Sequence, residues 1–398
     1  MSKYDNLQAI LQDFLTVGPV GCGLTVTQNG KELFSQCVGY ADRDAKTPME
    51  RDTIVRLFSN SKVFTNVALM TLYEKGKFLL NDPVEKYLPE FSNPKVGFFT
   101  GNGVFSTRPA KRSIFIRDLM SMASGLTYGG GIAGGEYSQT HLQLGKAVDE
   151  LEATGGYTVR EFTKRIAEVP LLFDPGSSWS YGYSHDVIGA LIEVLADMSF
   201  EDYLKEAIFN KLGLQDTSFF IEDSKRHRLA RQYSPRDEDG GQVLNEKGDI
   251  IYEKSHKFMG GGGGLLGTLD DLSRFASMLA MGGTLDGVRV IGRKTIDLMR
   301  ENHLAPEQLK AFQAAHRNGW EFLSGYGYGL GVRTMIDKPA AGSNGSLGEF
   351  GWAGAAGTWL LADPEEKLSI AYVQQVLPNP YEGYCHPRLR AGVYATLD

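Results

Sequence analysis

Residues 23–42, GLTVTQNGKELFSQCVGYAD, place Val26 and Leu33-Phe34 on either side of Asn29-Gly30. Asn-Gly between apolar runs is the commonest short-range signal of a two-residue β-hairpin, because its turn needs positive φ at both positions. Residues 357–375, GTWLLADPEEKLSIAYVQQ, mirror this near the other end, with two apolar runs around Asp363-Pro364-Glu365-Glu366. A helical pattern, RLRAGVYATL, follows it, and a helix with Tyr4, Leu7, Ile10, Leu11, Phe14 and Leu15 on one face precedes the first hairpin, stopped by Gly18-Pro19. The two ends together predict one antiparallel sheet flanked by N- and C-terminal helices.

Between them, residues 60–220 change period from two to 3.6, as in VFTNVALMTLYEKG and DVIGALIEVLADMSFEDYLKEAIF. The expectation is an α+β protein: a sheet domain from 1–58 and 250–398, a mostly helical lobe inserted at 59–249, and an active site between them. A chain of 398 residues is too long for one simple core, and 42% hydrophobic with 22% charged residues is an ordered globular composition.

The net charge of −7, with no lysine or arginine run, offers nothing to a phosphate backbone or an anionic membrane, so neither nucleic acid nor membrane is an expected partner. The opening MSKYDNLQAILQDFLTVG is broken by Asp5, Gln8, Gln12 and Asp13 and reads as neither an export signal nor a membrane span. A cytoplasmic location is expected, short of a removed leader. Cys22, Cys37 and Cys385 cannot all pair and have no zinc spacing, and the seven histidines form no H-E-x-x-H, so reduced thiols and neither metal nor cofactor are expected. The glycine-rich stretches at 127–137 and 259–275 lack the phosphate-loop ending G-K-[ST] and read as loops where backbones approach closely.

Chemistry enters at residues 54–70, IVRLFSNSKVFTNVALM. On a helix, residues three apart share a face, so Ser59 faces Lys62 and Ser61 does not. At a helix start, the free N–H groups favour developing negative charge, and a desolvated Lys62 can shed its proton to activate a serine without histidine. The bland alternative makes Ser59 an N-cap and Lys62 a solvated first-turn residue, although lysine there opposes the dipole. A second S-x-x-K, Ser92-Asn93-Pro94-Lys95, is broken by its proline. Ser184-His185-Asp186 names a hydrolase triad, but consecutive side chains point in different directions and cannot relay a proton. G-x-S-x-G is absent.

Three segments in order, FSNSK at 58–62, DPGSSWSYGYSHDVIGALIEVL at 174–195 and GEFGWAGAAGTWLLADP at 348–364, resemble the serine β-lactamase and penicillin-binding superfamily, in particular its class C and carboxylesterase branch. NDPVEKYLPEF, IRDLMSMASGL and NKLGLQDTSFF are similar to it as well. The resemblance implies the β-lactamase/transpeptidase-like fold. It makes Ser59 the acyl-forming nucleophile, Lys62 its base or proton shuttle and Tyr181 the phenol that relays protons, with Tyr183 as competitor on a shorter interval to Gly189. It places Trp352-Ala353-Gly354 where many members carry Lys-Thr-Gly, and Ala355 where a strand N–H joins that of Ser59 in an oxyanion hole. Trp352, Gly354 and Tyr183 then border the substrate.

Two departures turn the expectation from lactamase toward esterase. No K-T-G occurs, so the cation that would hold a substrate carboxylate is lost, and position 183 is tyrosine where Tyr-x-Asn would supply an amide. The expected function is hydrolysis of small carboxylic esters through a Ser59 acyl-enzyme, with a small-molecule ester or amide as partner. The alternatives are a β-lactamase, D-amino-acid peptidase or acyltransferase using the same residues, and a non-catalytic binding or sensor protein of the same fold.

Overall fold

The computed structural model describes residues 3–129, 138–238, 240–245, 257–315 and 323–397. The stretch at 127–137 thus lies outside the described residues past Gly129, as do residues 239 and 246–256.

Helix α1 (Asp5–Val17) leads into β1 (Gly21–Gln28) and β2 (Lys31–Asp42), with β3 (Thr47–Pro48) beyond. Asn29 and Gly30 join β1 to β2 at φ 53° and 74°, the two positive angles that the Asn-Gly pair predicts. Helices α2 (Ser61–Glu74), α3 (Gln139–Glu152), α4 (Val159–Ala167) and α5 (Ser184–Ala196) follow, then α6 (Leu269–Ala280). The chain returns through β4 (Tyr326–Tyr328), β5 (Arg333–Met335), β6 (Phe350–Ala353), β7 (Trp359–Asp363) and β8 (Leu368–Gln374) to α7 (Glu382–Tyr394). This last helix begins before the segment whose periodicity announced it and carries Pro387 inside.

The main sheet orders its strands β4-β5-β6-β7-β8-β1-β2-β3, all antiparallel. β1 and β8 pair from Cys22 opposite Gln374 to Gln28 opposite Leu368, so the two ends of the chain do close one sheet. Alternation along the strands sends Trp359, Leu361, Ile370 and Tyr372 to a core with Leu7, Leu11 and Phe14 of α1 and Leu389 and Val393 of α7. Leu360, Ala362, Ala371 and Val373 face the other way, into a larger core shared with α6 and the helices between 61 and 212.

Helix α2 is buried on every side from Ser61 to Leu72, as a helix enclosed by other elements must be. Phe64 stacks on Phe275 of α6 at 3.7 Å and meets Phe209 edge-on at 6.1 Å, tying the sheet side to the helical side. Burying such a ring contributes about 2–3 kcal/mol. The same enclosure holds the N-terminus of α2 still. Among the described residues no helix is long and apolar enough to cross a membrane.

Candidate active site

Ser59 sits in a 3₁₀ turn, Phe58–Asn60, that runs directly into α2. Its side chain does not cap the helix; it points to Lys62, whose Nζ lies 3.0 Å from Ser59 Oγ. Phe58, just before it, has φ 43°, a left-handed angle rare for a bulky residue, and such strain typically costs about 1–3 kcal/mol. No pattern in the sequence signals that kink. Ser61, the other serine, is buried and accepts a hydrogen bond from the Leu265 N–H at 3.0 Å, which anchors the glycine run to α2.

Lys62 is wholly buried. Its ammonium hydrogens reach Ser59 Oγ, Tyr128 Oη at 3.1 Å and the Gly262 carbonyl at 2.5 Å, and Nζ stands 4.6 Å from the Tyr181 ring centre. Burial pulls its pKa down to about 7, and Asp186 opposes that shift. Asp186 is itself pushed up to about 6 by burial, against the pull of Lys62 and the Gly262 N–H. That N–H donates to Asp186 Oδ1 at 3.0 Å, so Gly262 stands between acid and base. A Cβ on Gly262 would sit 2.7 Å from Asp186 Oδ2, which is why the backbone approach there needs glycine.

Tyr181 hydrogen-bonds the Ser59 side chain, and its hydroxyl oxygen accepts the Trp352 indole N–H at 3.0 Å. Burial raises its pKa, so the phenol stays neutral. Tyr183 meets Tyr128 edge-on at 4.5 Å and Phe162 at 5.0 Å, and burial raises its pKa as well. Tyr181, and not Tyr183, is thus the phenol with its hydroxyl on Trp352 and Ser59.

Past β6 the chain turns at Gly354–Gly357, with the Gly354 N–H bonded to Thr358 O at 2.7 Å and Ala355 exposed. This turn packs so closely on the serine turn that a Cβ on Gly354 would lie 2.4 Å from Leu57 O. Thr358 Oγ1 accepts from Asn60 Nδ2 at 2.9 Å and donates to Leu57 O at 3.1 Å, strapping the two turns together. Ser59, Tyr181, Tyr183, Trp352, Gly354 and Ala355 all border one cleft of about 840 Å³.

Tyr128, Asp186, Asn60 and Thr358 escaped the reading of the sequence as site residues. Tyr128 lay in a stretch read only for its glycines, and Asp186 belonged to the rejected Ser184-His185-Asp186. That triad is not formed: Ser184 Oγ pairs with Ser124 Oγ at 2.9 Å, Asp186 with Gly262, and both His185 ring nitrogens are buried without a hydrogen-bond partner among the described residues. Ser92-Asn93-Pro94-Lys95 is a turn entering a strand at Lys95, with Asn93 at φ 53°.

Comparison with known proteins bears on the family and the fold. A Mycobacterium tuberculosis protein, Rv1367c, is 32% identical over 381 residues, covering 94% of this chain and 90% of its own length. Esterase EstB of Burkholderia gladioli is 27% identical over 396 residues, covering 94% of this chain and 91% of its own. The solved structure of EstCE1, described as a hydrolase with promiscuous acyltransferase activity, matches with a TM-score of 0.79 at 24% identity, covering 99% of this chain and 98% of that one. The sequence model of the family described as Beta-lactamase matches residues 7–393, and the chain belongs to that family, with the β-lactamase/transpeptidase-like fold.

Proposed function

We propose that the protein is a serine hydrolase that cleaves carboxylic esters through an acyl-enzyme on Ser59. The observation that carries this reading is the contact of Lys62 Nζ with Ser59 Oγ at 3.0 Å inside a shell whose burial lowers the lysine pKa to about 7. A neutral amine is then available near neutral pH.

Lys62 takes the Ser59 proton as Oγ bonds to the ester carbon, and the carbonyl oxygen becomes an oxyanion. The N–H groups of Ser59 and Ala355 receive it, each donor lowering the barrier by roughly 3 kcal/mol. Tyr181 gives its proton to the departing alkoxide and regains one from the Lys62 ammonium, leaving acyl-Ser59. Water then attacks the acyl carbon, its proton passing by way of Tyr181 to Lys62, and Lys62 gives a proton back to Ser59 Oγ as the Oγ–acyl bond breaks and the acid leaves. The kinetics are ping-pong.

Esters are favoured over carboxylate-bearing β-lactams because Trp352, 2% exposed and bonded to Tyr181, stands where a lysine would hold the carboxylate. The relative EstB is an esterase by name. Comparing kcat/KM for p-nitrophenyl butyrate and a chromogenic cephalosporin, in wild type and Ser59→Ala, tests the reading. Faster cephalosporin turnover reverses the order, and a wild type that a serine-reactive phosphonate labels but that turns over neither compound is a binding protein. Acyl transfer, named in the description of EstCE1, would show as a new ester when an alcohol acceptor is added.

A further inference from the structure

The cleft is far larger than the chemistry at Ser59 requires. A volume of about 840 Å³ suits a drug-sized molecule, not a short-chain ester alone. Part of its lining is a continuous row of rings. Tyr157 and Phe258, half-buried at the rim, lie 5.0 Å apart; Phe258 meets Phe162 at 4.8 Å, Phe162 meets Tyr183 at 5.0 Å, and Tyr183 meets Tyr128 at 4.5 Å. The row therefore ends on the tyrosine that touches Lys62. Rings at these separations leave faces and edges for a flat apolar group to pack on.

The rest of the lining is different in kind. Glu382, in the first turn of α7, forms part of it beside Leu377, Asn379 and Ala355, with its side chain 19% exposed. Counting the whole lining among the described residues, Glu152, Asp186 and Glu382 face a single cation, Lys257. A carboxylate arriving there meets more negative than positive charge.

In the proposed reaction, Tyr181 protonates the departing alkoxide, and Tyr181 stands 5.6 Å from the Tyr128 ring that ends the row and equally 5.6 Å from Trp352. An aromatic group on the reacting ester thus has the inner end of the row to pack on. We propose that the row of rings is an aromatic subsite, so that the cleft selects esters carrying a bulky aromatic group, and that its acidic lining disfavours esters carrying a carboxylate. This rests on the ester-hydrolase reading of Ser59.

The test uses vinyl butanoate, 2-naphthyl butanoate and 2-naphthyl hemisuccinate with the full chain. Tyr157→Ala and Phe258→Ala, both at half-buried rim positions, should each lower the ratio of kcat/KM for 2-naphthyl over vinyl butanoate by about tenfold, since the ratio cancels intrinsic reactivity and any general loss of folded enzyme. Wild type should turn over the hemisuccinate at least about tenfold more slowly than the butanoate, and Glu382→Gln should narrow that gap. A ratio that stays within about twofold of wild type in both rim variants, or equal turnover of hemisuccinate and butanoate, overturns the proposal. If no ester is hydrolysed and Ser59 takes no phosphonate, the hydrolase reading has failed. The ring wall is then judged by 2-naphthol binding, which Phe258→Ala should weaken about tenfold if the wall is an aromatic subsite and leave unaltered if it is not.

Discussion

Lys62 Nζ lies 3.0 Å from Ser59 Oγ, and Lys62 is 0% exposed. The amine is the base only when unprotonated, and burial sets its pKa at about 7, so kcat/KM for an ester should climb with pH to a plateau, half-risen near pH 7. Because the Asp186 charge raises the lysine pKa, Asp186→Asn should move that rise to lower pH. The stability signs follow from linkage. The unfolded lysine holds its proton from about 7 up to 10.5 where the folded one does not, so its share of stability grows as pH rises through that window. Asp186 does the opposite: folded, it keeps a proton from 3.8 up to about 6, and its share falls as pH rises through that range. A pH–rate profile of wild type and Asp186→Asn checks the first pair of statements, and an acid limb that does not move would remove Asp186 from the account. Lys62→Met should lose at least about 10²-fold in kcat/KM at every pH.

The two serines at the head of α2 should separate cleanly. Ser59→Ala should take no label from a serine-reactive phosphonate, whereas Ser61→Ala should still be labelled at Ser59. Its cost is structural: losing the buried acceptor for the Leu265 N–H removes about 1–3 kcal/mol of stability. Intact-protein mass after labelling, with thermal melts, reads both. Labelling that survives Ser59→Ala would end the assignment of the nucleophile.

Much of this arrangement was readable from short-range pattern. Asn29-Gly30 and the turn at 363–366 announce their hairpins because turn chemistry is local, and alternation along the strands carries their burial. Ser59 and Lys62 are three residues apart, so helix geometry alone brings them together. Tyr128 and Thr358 are different, since Tyr128 reaches Lys62 across 66 positions and Thr358 reaches Asn60 across 298. Such contacts exist only once the helices have packed on the sheet, and no spacing rule reports them. Phe58 illustrates a second kind of miss: its left-handed φ, between a Leu57 and an Asn60 whose N–H groups bond Leu265 O and Leu57 O, runs against its own preference.

Trp352 and Tyr181 offer a test of how the phenol is held. The indole N–H occupies a lone pair of the Tyr181 oxygen at 3.0 Å, and the rings stack with centres 5.6 Å apart. Trp352→Phe keeps an aromatic surface and removes only the donor and some area. Its kcat should fall about tenfold with a smaller change in KM, because the phenol is misdirected while the cleft still fills. Pre-steady-state bursts with p-nitrophenyl butyrate would separate acylation from release, and an effect confined to KM would make Trp352 a binding surface alone.

Thr358 is the residue through which the strand turn and the serine turn are held in register. It accepts from Asn60 Nδ2 at 2.9 Å and donates to Leu57 O at 3.1 Å, and both Thr358 and Asn60 are 0% exposed. Thr358→Val keeps the shape but leaves that amide unpaired in the interior and takes from Leu57 O one of its two donors, the Asn60 N–H remaining at 3.1 Å, at a cost of about 1–3 kcal/mol. If Ser59 and Ala355 supply the two oxyanion donors, loosening the strap also spoils their convergence, and a displaced donor costs about 10²-fold in kcat. Thr358→Ser retains the hydroxyl and should recover most of kcat. Melting curves and kcat measured together decide the matter: stability lost with kcat intact would make the strap a fold element and leave the two N–H groups aligned by something else.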